Sequence, residues 1–349
     1  MKIKELLVKD NNNLDVFRLI AAFMVIYGHA FAIAPQAGKF DLISQWIGFG
    51  YSGSLAVIIF FFISGLVVAN SLMEKKSVVH FLISRVFRIF PALIFVVLGS
   101  GFFIGPLVTN LTVSEYFSNH LLYKYIVGNI FLDTSYALPG VFENNKYPSV
   151  VNGSLWTLPY EMAAYLGLVA IFMLGGFRSK IFSIAIFSIF FADPFWGGKL
   201  IFTWQTQNAE VDFLIPSFAL GVIVAIFKDE LEVDGRFVIG LLLIYFLFRK
   251  ASYAFVLLHL SIFAFVLWLS AKNWMKKLKP KIDLSYGVYL WGFPVQQVFA
   301  HYIPNSGIFL NQILSIMVAL VCAWISWHLV EEKSIAVGKV LIKKWTQHV

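Results

Sequence analysis

The stretch that decides the fold is an apolar run interrupted by an arginine and a histidine: Leu14-Asp15-Val16-Phe17-Arg18-Leu19-Ile20-Ala21-Ala22-Phe23-Met24-Val25-Ile26-Tyr27-Gly28-His29-Ala30. Arg18 and His29 are eleven positions apart, and at about 100° per residue eleven steps return to within roughly 20° of the starting direction. The two side chains therefore share one helix face, ~16 Å apart along the axis. Ionisable groups inside a membrane span are costly, so we interpret the pair as functional. The alternative is that Arg18 extends to the membrane surface and His29 fills a polar pocket.

The composition is that of a polytopic membrane protein. Hydrophobic residues make up 59% of the 349 residues and charged residues 13%, which is too few for the exterior of a soluble protein. The net charge of +8 comes from basic residues in short loops between apolar spans. That pattern sets membrane topology, and we predict no nucleic-acid partner from it.

Ten apolar stretches are long enough to cross a bilayer, and they predict an all-α bundle of about ten transmembrane helices. The stretches are 14–34, 50–72, 88–108, 154–175, 181–196, 213–228, 237–249, 251–270, 285–303 and 308–330. We expect residues 1–349 to form a single transmembrane domain with no appended soluble domain.

The distribution of lysine and arginine predicts the orientation of this bundle. With ten spans, most basic residues fall on one side, and the opposite loops carry only Lys39, Lys124, Lys146, Lys199 and the exceptional pair Arg249-Lys250. The positive-inside rule then places both termini in the cytoplasm. The longest outer loop, 107–153, is rich in Tyr, Asn and Pro. It is either an amphipathic segment at the membrane surface or a plain solvated loop.

A carboxylate lies at a depth similar to that of the histidine. Span four runs inward from Asn152, which places Glu161 about 10 Å below the outer surface, close to the depth of His29. A carboxylate and an imidazole at one depth can act as a general base and its supporting acid. In the alternative, Glu161 pairs with Arg18 or with a backbone donor.

Two further motifs lie on the predicted cytoplasmic side and in span two. Arg85 and Arg88, three apart at a predicted helix start beside free amides, could clamp the phosphates of a nucleotide-bearing cofactor; the alternative is a topology-setting pair. Ser64-Gly65 would let another helix, or a thin ligand chain, approach the backbone closely. Ser64 as a covalent nucleophile is a weaker alternative.

Several polar residues lie where a hydroxylated acceptor could bind. Gln296 and Gln297 occupy the outer end of span nine, and Trp156 and Tyr160 precede Glu161. His259 is interpreted as a packed core histidine. No cluster of His, Cys, Asp and Glu has metal-ligand spacing, so we predict no metal.

The motifs together resemble the acyltransferase-3 family of integral membrane O-acyltransferases. The matching segments are Arg18-x10-His29, Phe61-Phe62-Ile63-Ser64-Gly65, Arg85-x-x-Arg88-x-x-Pro91, Ser154-Leu155-Trp156-x-Leu158-x-x-Glu161, Ser285-Tyr286-Gly287-x-Tyr289-Leu290 and Leu329-Val330-Glu331. One departure is Lys333, where the family usually has proline.

The resemblance implies transfer of an acyl group, usually acetyl, from a cytoplasmic acyl-CoA co-substrate to a hydroxyl of a surface glycan such as lipopolysaccharide O-antigen, or of a lipid-linked saccharide. It implies that His29 and Arg18 are essential and that Arg85 and Arg88 act on the donor side. With it we expect His29 as general base, Glu161 supporting it, and Arg18 on the wall of a polar path from the donor. A transporter or flippase is the alternative, but it predicts internal repeats or paired broken helices, and neither is clear.

Overall fold

A computed structural model describes residues 1–47, 50–193 and 209–348, and this part of the chain is helical, without β-strands. In chain order the helices are α1 (Ile3–Leu6), α2 (Leu14–Ile33), α3 (Leu42–Ile47), α4 (Ser52–Lys75), α5 (Val78–Gly99), α6 (Gly105–Val108), α7 (Val113–Ser118), α8 (His120–Ile130), α9 (Thr157–Met173), α10 (Lys180–Ala192), α11 (Ala209–Asp212), α12 (Leu214–Ile226), α13 (Gly235–Phe248), α14 (Ala254–Ser270), α15 (Asn273–Lys277), α16 (Ser285–Tyr302), α17 (Gly307–Ser326) and α18 (Glu332–His348). Two π-helical turns, Ser100–Ile104 and Trp327–Glu331, join α5 to α6 and α17 to α18.

Each of the ten stretches predicted to cross the membrane falls on one of these helices or helical runs. Four runs are long and apolar enough to span a bilayer: Leu14–Ile33, Ser52–Lys75, Val78–Val108 and Gly307–Gln347. The prediction of an all-helical membrane protein is confirmed, whereas the count of ten spans and the cytoplasmic termini remain predictions. Residues 194–196 of the fifth stretch, and Lys199 of an outer loop, lie outside the described residues.

The third span begins earlier than the hydropathy predicts. Helix α5 starts at Val78, where the Ser77 hydroxyl caps it by accepting a hydrogen bond from the amide of His80 at 3.2 Å. Arg85 and Arg88 therefore lie well inside the helix, where the amides are already hydrogen-bonded. The expectation of free backbone amides beside these arginines is wrong.

The described helices divide into two compact units. The first contains Met1–Ile20, Val57–Lys76 and Ala163–Asp283, and the second contains Ala21–Ala56, Ser77–Met162 and Leu284–Val349.

Within the first unit, helices α4 and α12 touch through glycine. A Cβ atom added at Gly65 would overlap the carbonyl oxygen of Phe218, and one added at Gly221 would lie 2.7 Å from the amide nitrogen of Leu66. Phe62 also stacks on Phe263 of α14, with ring centroids 4.1 Å apart. Small residues permit this backbone approach, which supplies the packing that holds helices together in lipid.

The buried histidine of this unit is a packing residue, as predicted. His259 is 2% exposed, and its Nδ1 lies 2.7 Å from the carbonyl oxygen of Phe255, one turn earlier on α14. Its ring also contacts those of Phe213 and Phe263.

The predicted outer segment, residues 107–153, is part of the second unit and buries several of its aromatic side chains. Tyr116 and Tyr125 are fully buried, and the Tyr116 hydroxyl donates to the carbonyl oxygen of Gly101 at 2.7 Å. Helix α8 buries Leu122, Tyr125 and Ile126 while Tyr123 on its other face is exposed. Helix α8 is therefore amphipathic and its apolar face packs against protein, whereas a position of this segment at the membrane surface stays a prediction.

The glycine contact gives a matched test. Gly65→Ala should destabilise the protein by ~1–3 kcal/mol, because the methyl group meets the α12 backbone. Gly240→Ala, where the added carbon meets nothing within 4 Å, should stabilise it slightly by removing a helix-interior glycine. Thermal unfolding of both variants in detergent measures the difference. Equal stability of the two variants would mean that α4 and α12 do not touch at Gly65.

Candidate functional site

The predicted base lies in an aromatic setting in the second unit. The Nε2 atom of His29 lies 3.3 Å from the hydroxyl of Tyr51, and the ring of Phe293 approaches edge-on with centroids 5.0 Å apart. Nδ1 is buried and has no hydrogen-bond partner among the described residues. Buried polar atoms nearly always have partners, and the role of His29 as a base stays a prediction.

A second polar cluster surrounds Tyr289 on α16. Its hydroxyl lies 2.6 Å from Thr157 Oγ1 and donates to the carbonyl oxygen of Ser154 at 2.8 Å. The Glu161 carboxylate and the Tyr51 hydroxyl are close enough to the Tyr289 hydroxyl to interact electrostatically with it. The motif from Ser154 to Glu161 and the later motif around Tyr289 therefore meet in space.

Glu161 and His29 are not brought together by a direct hydrogen bond. Nε2 of His29 contacts Tyr51, and its other nitrogen has no partner in the described structure. The carboxylate instead shares the neighbourhood of Tyr289. A role for Glu161 in catalysis stays a prediction.

Arg88 is held by an acidic partner distant in sequence. Its Nη1 lies 3.4 Å from Glu331 Oε2, whose side chain is 2% exposed, and the Ser326 hydroxyl donates to the other carboxylate oxygen at 2.9 Å. The guanidinium also lies over the rings of Tyr286 and Trp327, at 5.9 and 5.8 Å from their centroids. Arg88 therefore joins α5 to the end of the α17 run. In the sequence, Glu331 directly follows the apolar stretch 308–330, and this position is the signal that could have indicated the pair.

Arg85 lies one turn before Arg88 on α5 and is partly exposed. Residues three apart on a helix lie on neighbouring positions of its surface. Donor binding by either arginine stays a prediction.

The two glutamines predicted to bind the acceptor are fully buried and bonded within the protein. Gln296 Nε2 donates to the carbonyl oxygen of Ile26 at 2.8 Å and to Asn311 Oδ1 at 3.1 Å. Gln297 Nε2 donates to the carbonyl oxygens of Tyr147 and Val150, both at 2.7 Å. These contacts favour roles in fixing α17 and the outer segment rather than in touching an acceptor.

Trp156 and Tyr160 form an edge-to-face aromatic pair with centroids 5.8 Å apart. Both side chains are partly exposed, which leaves ring surface for a ligand. Their assignment to acceptor binding stays a prediction.

The remaining predicted site residues belong to the first unit. Arg18 lies 3.4 Å from Asp15 on the same helix and is about a quarter exposed. Ser64 Oγ lies 2.8 Å from the hydroxyl of Tyr165, and the open side of Gly65 is filled by the α12 backbone. Of the two possibilities for Ser64-Gly65, the structure favours close approach of another helix over that of a ligand chain. Groups of three or more candidate metal ligands are absent from the described residues.

These features define an all-helical membrane protein with a candidate site at His29, and comparison with known protein families identifies the class of protein. The chain matches the acyltransferase-3 family, an acyltransferase domain, over residues 11–328, so it belongs to that family and is a membrane acyltransferase.

The chain is also similar to two named proteins. The chain is 30% identical to an O-acetyl transferase of Shigella phage Sf6, over 93% of this chain and 96% of the relative. It is 31% identical to nodulation protein 10 of Rhizobium leguminosarum bv. viciae, over 45% of this chain and 43% of the relative. No solved structure matches the chain.

The Arg88–Glu331 contact predicts a non-additive pair of substitutions. Arg88→Met should destabilise the protein by ~3–5 kcal/mol, because it removes the cation beside a buried carboxylate. Arg88→Met combined with Glu331→Met should recover most of that loss, since two apolar side chains need no ion pair. Thermal unfolding of single and double variants in detergent decides this. A double variant less stable than the single one would show that the two side chains do not act as a pair.

Proposed function

We propose that this chain transfers an acetyl group from acetyl-CoA to a hydroxyl of a cell-surface glycan, such as lipopolysaccharide O-antigen, with His29 as the general base. The observation that carries the proposal is a half-buried imidazole with Nε2 beside the Tyr51 hydroxyl and a buried Nδ1 without a partner among the described residues. The phage relative, named as an O-acetyl transferase and matched over nearly its whole length, supports the choice of acetyl.

In the proposed reaction, the neutral imidazole of His29 first accepts a proton and later returns it. A nitrogen lone pair of His29 takes the proton of the acceptor hydroxyl, and the oxygen attacks the thioester carbonyl of the donor. The carbon–sulfur bond then breaks, and the CoA thiolate leaves and is protonated by the imidazolium. The acceptor thus gains an acetyl ester, and His29 returns to its neutral form.

The polar residues near the base have proposed supporting roles. Positive charge develops on the imidazole as it takes the proton, and the Glu161 carboxylate, close to the Tyr289 hydroxyl, stabilises that charge through the tyrosines. Trp156 and Tyr160 offer ring faces to the sugar. Arg18, on the helix that carries His29, is proposed as a further catalytic residue.

We propose that the donor phosphates bind at Arg85 and Arg88 and that the protein lies in the bacterial inner membrane with both termini in the cytoplasm. Arginine binds phosphate through short, charge-assisted hydrogen bonds. The basic loops and the excess of lysine and arginine on one side support this orientation.

Replacement of the base tests the proposal directly. His29→Ala should abolish acetyl transfer to the glycan while the protein remains folded in the membrane, because a small cavity replaces the proton acceptor. Acetyl transfer from radiolabelled acetyl-CoA to isolated glycan, measured with protein in vesicles, gives the rate. Near-normal turnover by His29→Ala would refute the mechanism. A wild-type protein that moves saccharide across the membrane without acetylating it would favour a flippase instead.

The donor site has its own test. Arg85→Gln should raise the KM for acetyl-CoA by ~10-fold or more, which corresponds to loss of one charge-assisted hydrogen bond, and should leave the KM for the acceptor within about twofold. Lys146→Gln, in the outer segment, serves as a charge-matched control that should change neither constant. An unchanged KM for acetyl-CoA in Arg85→Gln would restrict this arginine to setting topology.

A further inference from the structure

Tyr51 is the hydrogen-bonding partner that the described structure gives to His29, and sequence patterns did not single it out. The tyrosine oxygen lies 3.3 Å from Nε2, and the two ring centroids are 6.0 Å apart. Both residues belong to the second unit, on either side of helix α3. Any role of Tyr51 in the reaction rests on the proposed function of His29 as the base.

The backbone at Tyr51 is fixed by a buried carboxylate. Asp41 is 7% exposed, and one of its oxygens accepts hydrogen bonds from both the amide and the hydroxyl of Ser52, each at 2.7 Å. The other oxygen accepts from the amides of Ile43 and Ser44 at 2.8 and 3.3 Å. One carboxylate thus caps the first turns of α3 and α4 together, and Tyr51 is the residue just before α4.

The tyrosine is also confined by its neighbours. Its amide donates to Ser54 Oγ at 3.0 Å, and its carbonyl oxygen accepts from the same hydroxyl at 2.8 Å. A Cβ atom at Gly28, the residue before His29, would lie 2.7 Å from the Tyr51 ring. A Cβ atom at Gly53 would overlap that ring. Two glycines therefore let the start of α4 lie directly against the helix turn that carries His29.

This arrangement bears on which ring nitrogen acts as the base. A neutral imidazole has one N–H donor and one lone pair. If Nε2 carries the proton and donates to Tyr51, the buried Nδ1 keeps a lone pair. If Nδ1 carries the proton instead, a buried N–H group is left without an acceptor, which is the rarer and more costly outcome in proteins.

We propose that Tyr51 is a positioning residue that accepts the Nε2 proton of His29 in a hydrogen bond, so that Nδ1 is the atom that removes the acceptor proton, and that Asp41 holds Tyr51 in place. When Nδ1 takes the proton, the charge of the imidazolium is shared with the Tyr51 oxygen through the same hydrogen bond. The tyrosine thus fixes the tautomer before the reaction and stabilises the cation during it.

Tyr51→Phe keeps the ring and removes the hydroxyl, so it isolates the hydrogen bond. We expect kcat to fall by ~10-fold or more, but by less than the ~10²–10⁴-fold that the positioned base itself contributes. The KM values for donor and acceptor should stay within about twofold. Tyr302→Phe removes an exposed hydroxyl bonded to the carbonyl oxygen of Leu107 and should leave kcat unchanged. An unchanged kcat together with a lower acceptor KM in Tyr51→Phe would overturn the proposal, because the hydroxyl would then merely occupy the place of the acceptor.

The role of Asp41 is tested by coupling. Asp41→Ala should also lower kcat, and the double variant Asp41→Ala/Tyr51→Phe should be no slower than Tyr51→Phe within about twofold, since both changes remove one function. Multiplicative losses would show that Asp41 acts independently of Tyr51. Thermal unfolding of each variant identifies any loss that is due to misfolding, and the Tyr51→Phe result stands without Asp41→Ala.

A spectroscopic readout separates this inference from the proposed function. In protein labelled with ¹⁵N-histidine and reconstituted in lipid, the ring-nitrogen signals that disappear in His29→Gln should report a neutral ring protonated at Nε2. Tyr51→Phe should shift these signals and Tyr302→Phe should not. Protonation at Nδ1 in the wild type would overturn the inference even if acetyl transfer is confirmed. A wild type without acetyl transfer would instead refute the proposed function.

Discussion

Burial of polar groups among apolar helices is the constraint on which the second unit depends. Each such group must find a partner, since neither lipid nor packed side chains replace the hydrogen bonds of water. Arg88 meets this requirement with Glu331, and the amide nitrogen of Gln296 meets it with Asn311. The Nδ1 atom of His29 has no such partner in the described residues, and the same is true of Gln296 Oε1 and Ser154 Oγ. The imidazole is the one of these three groups that can take up a proton near neutral pH, so its chemistry, and not the missing hydrogen bond alone, makes His29 the candidate base.

Helix α16 arranges these groups along its length. Tyr289 binds Ser154 and Thr157 at the start of the Glu161 helix, and Phe293 packs against the imidazole. Gln297, one turn further on, holds the outer segment. Positions four apart on a helix lie on one face, so one face of α16 carries the side chains of Tyr289, Phe293 and Gln297 with all of these contacts. A small rotation of α16 would disturb all three contacts.

The sequence predicts the helices and the class well but not the contacts inside the site. Apolar runs are local signals and predicted the helices, and motifs in order along the chain, among them the Arg18–His29 spacing, resembled the acyltransferase-3 family to which the chain belongs. Tyr51 reaches His29 across a loop and a short helix, positioned by a carboxylate that looks like an ordinary loop residue, Asp41. The Arg88–Glu331 pair joins residues far apart in the chain. Such pairings depend on how helices are arranged, which periodicity does not encode.

A carboxylate near the base need not touch it to support the reaction. A carboxylate bonded directly to Nε2 would compete with Tyr51 for the one N–H group of a neutral ring. Glu161 and Tyr51 both interact electrostatically with the Tyr289 hydroxyl, and Nε2 of His29 lies beside Tyr51. Coulomb interactions act over several ångströms in surroundings of low polarity, so a carboxylate can stabilise an imidazolium that it does not touch. In the proposed mechanism, Tyr51 therefore orients the ring and Glu161 stabilises its charge.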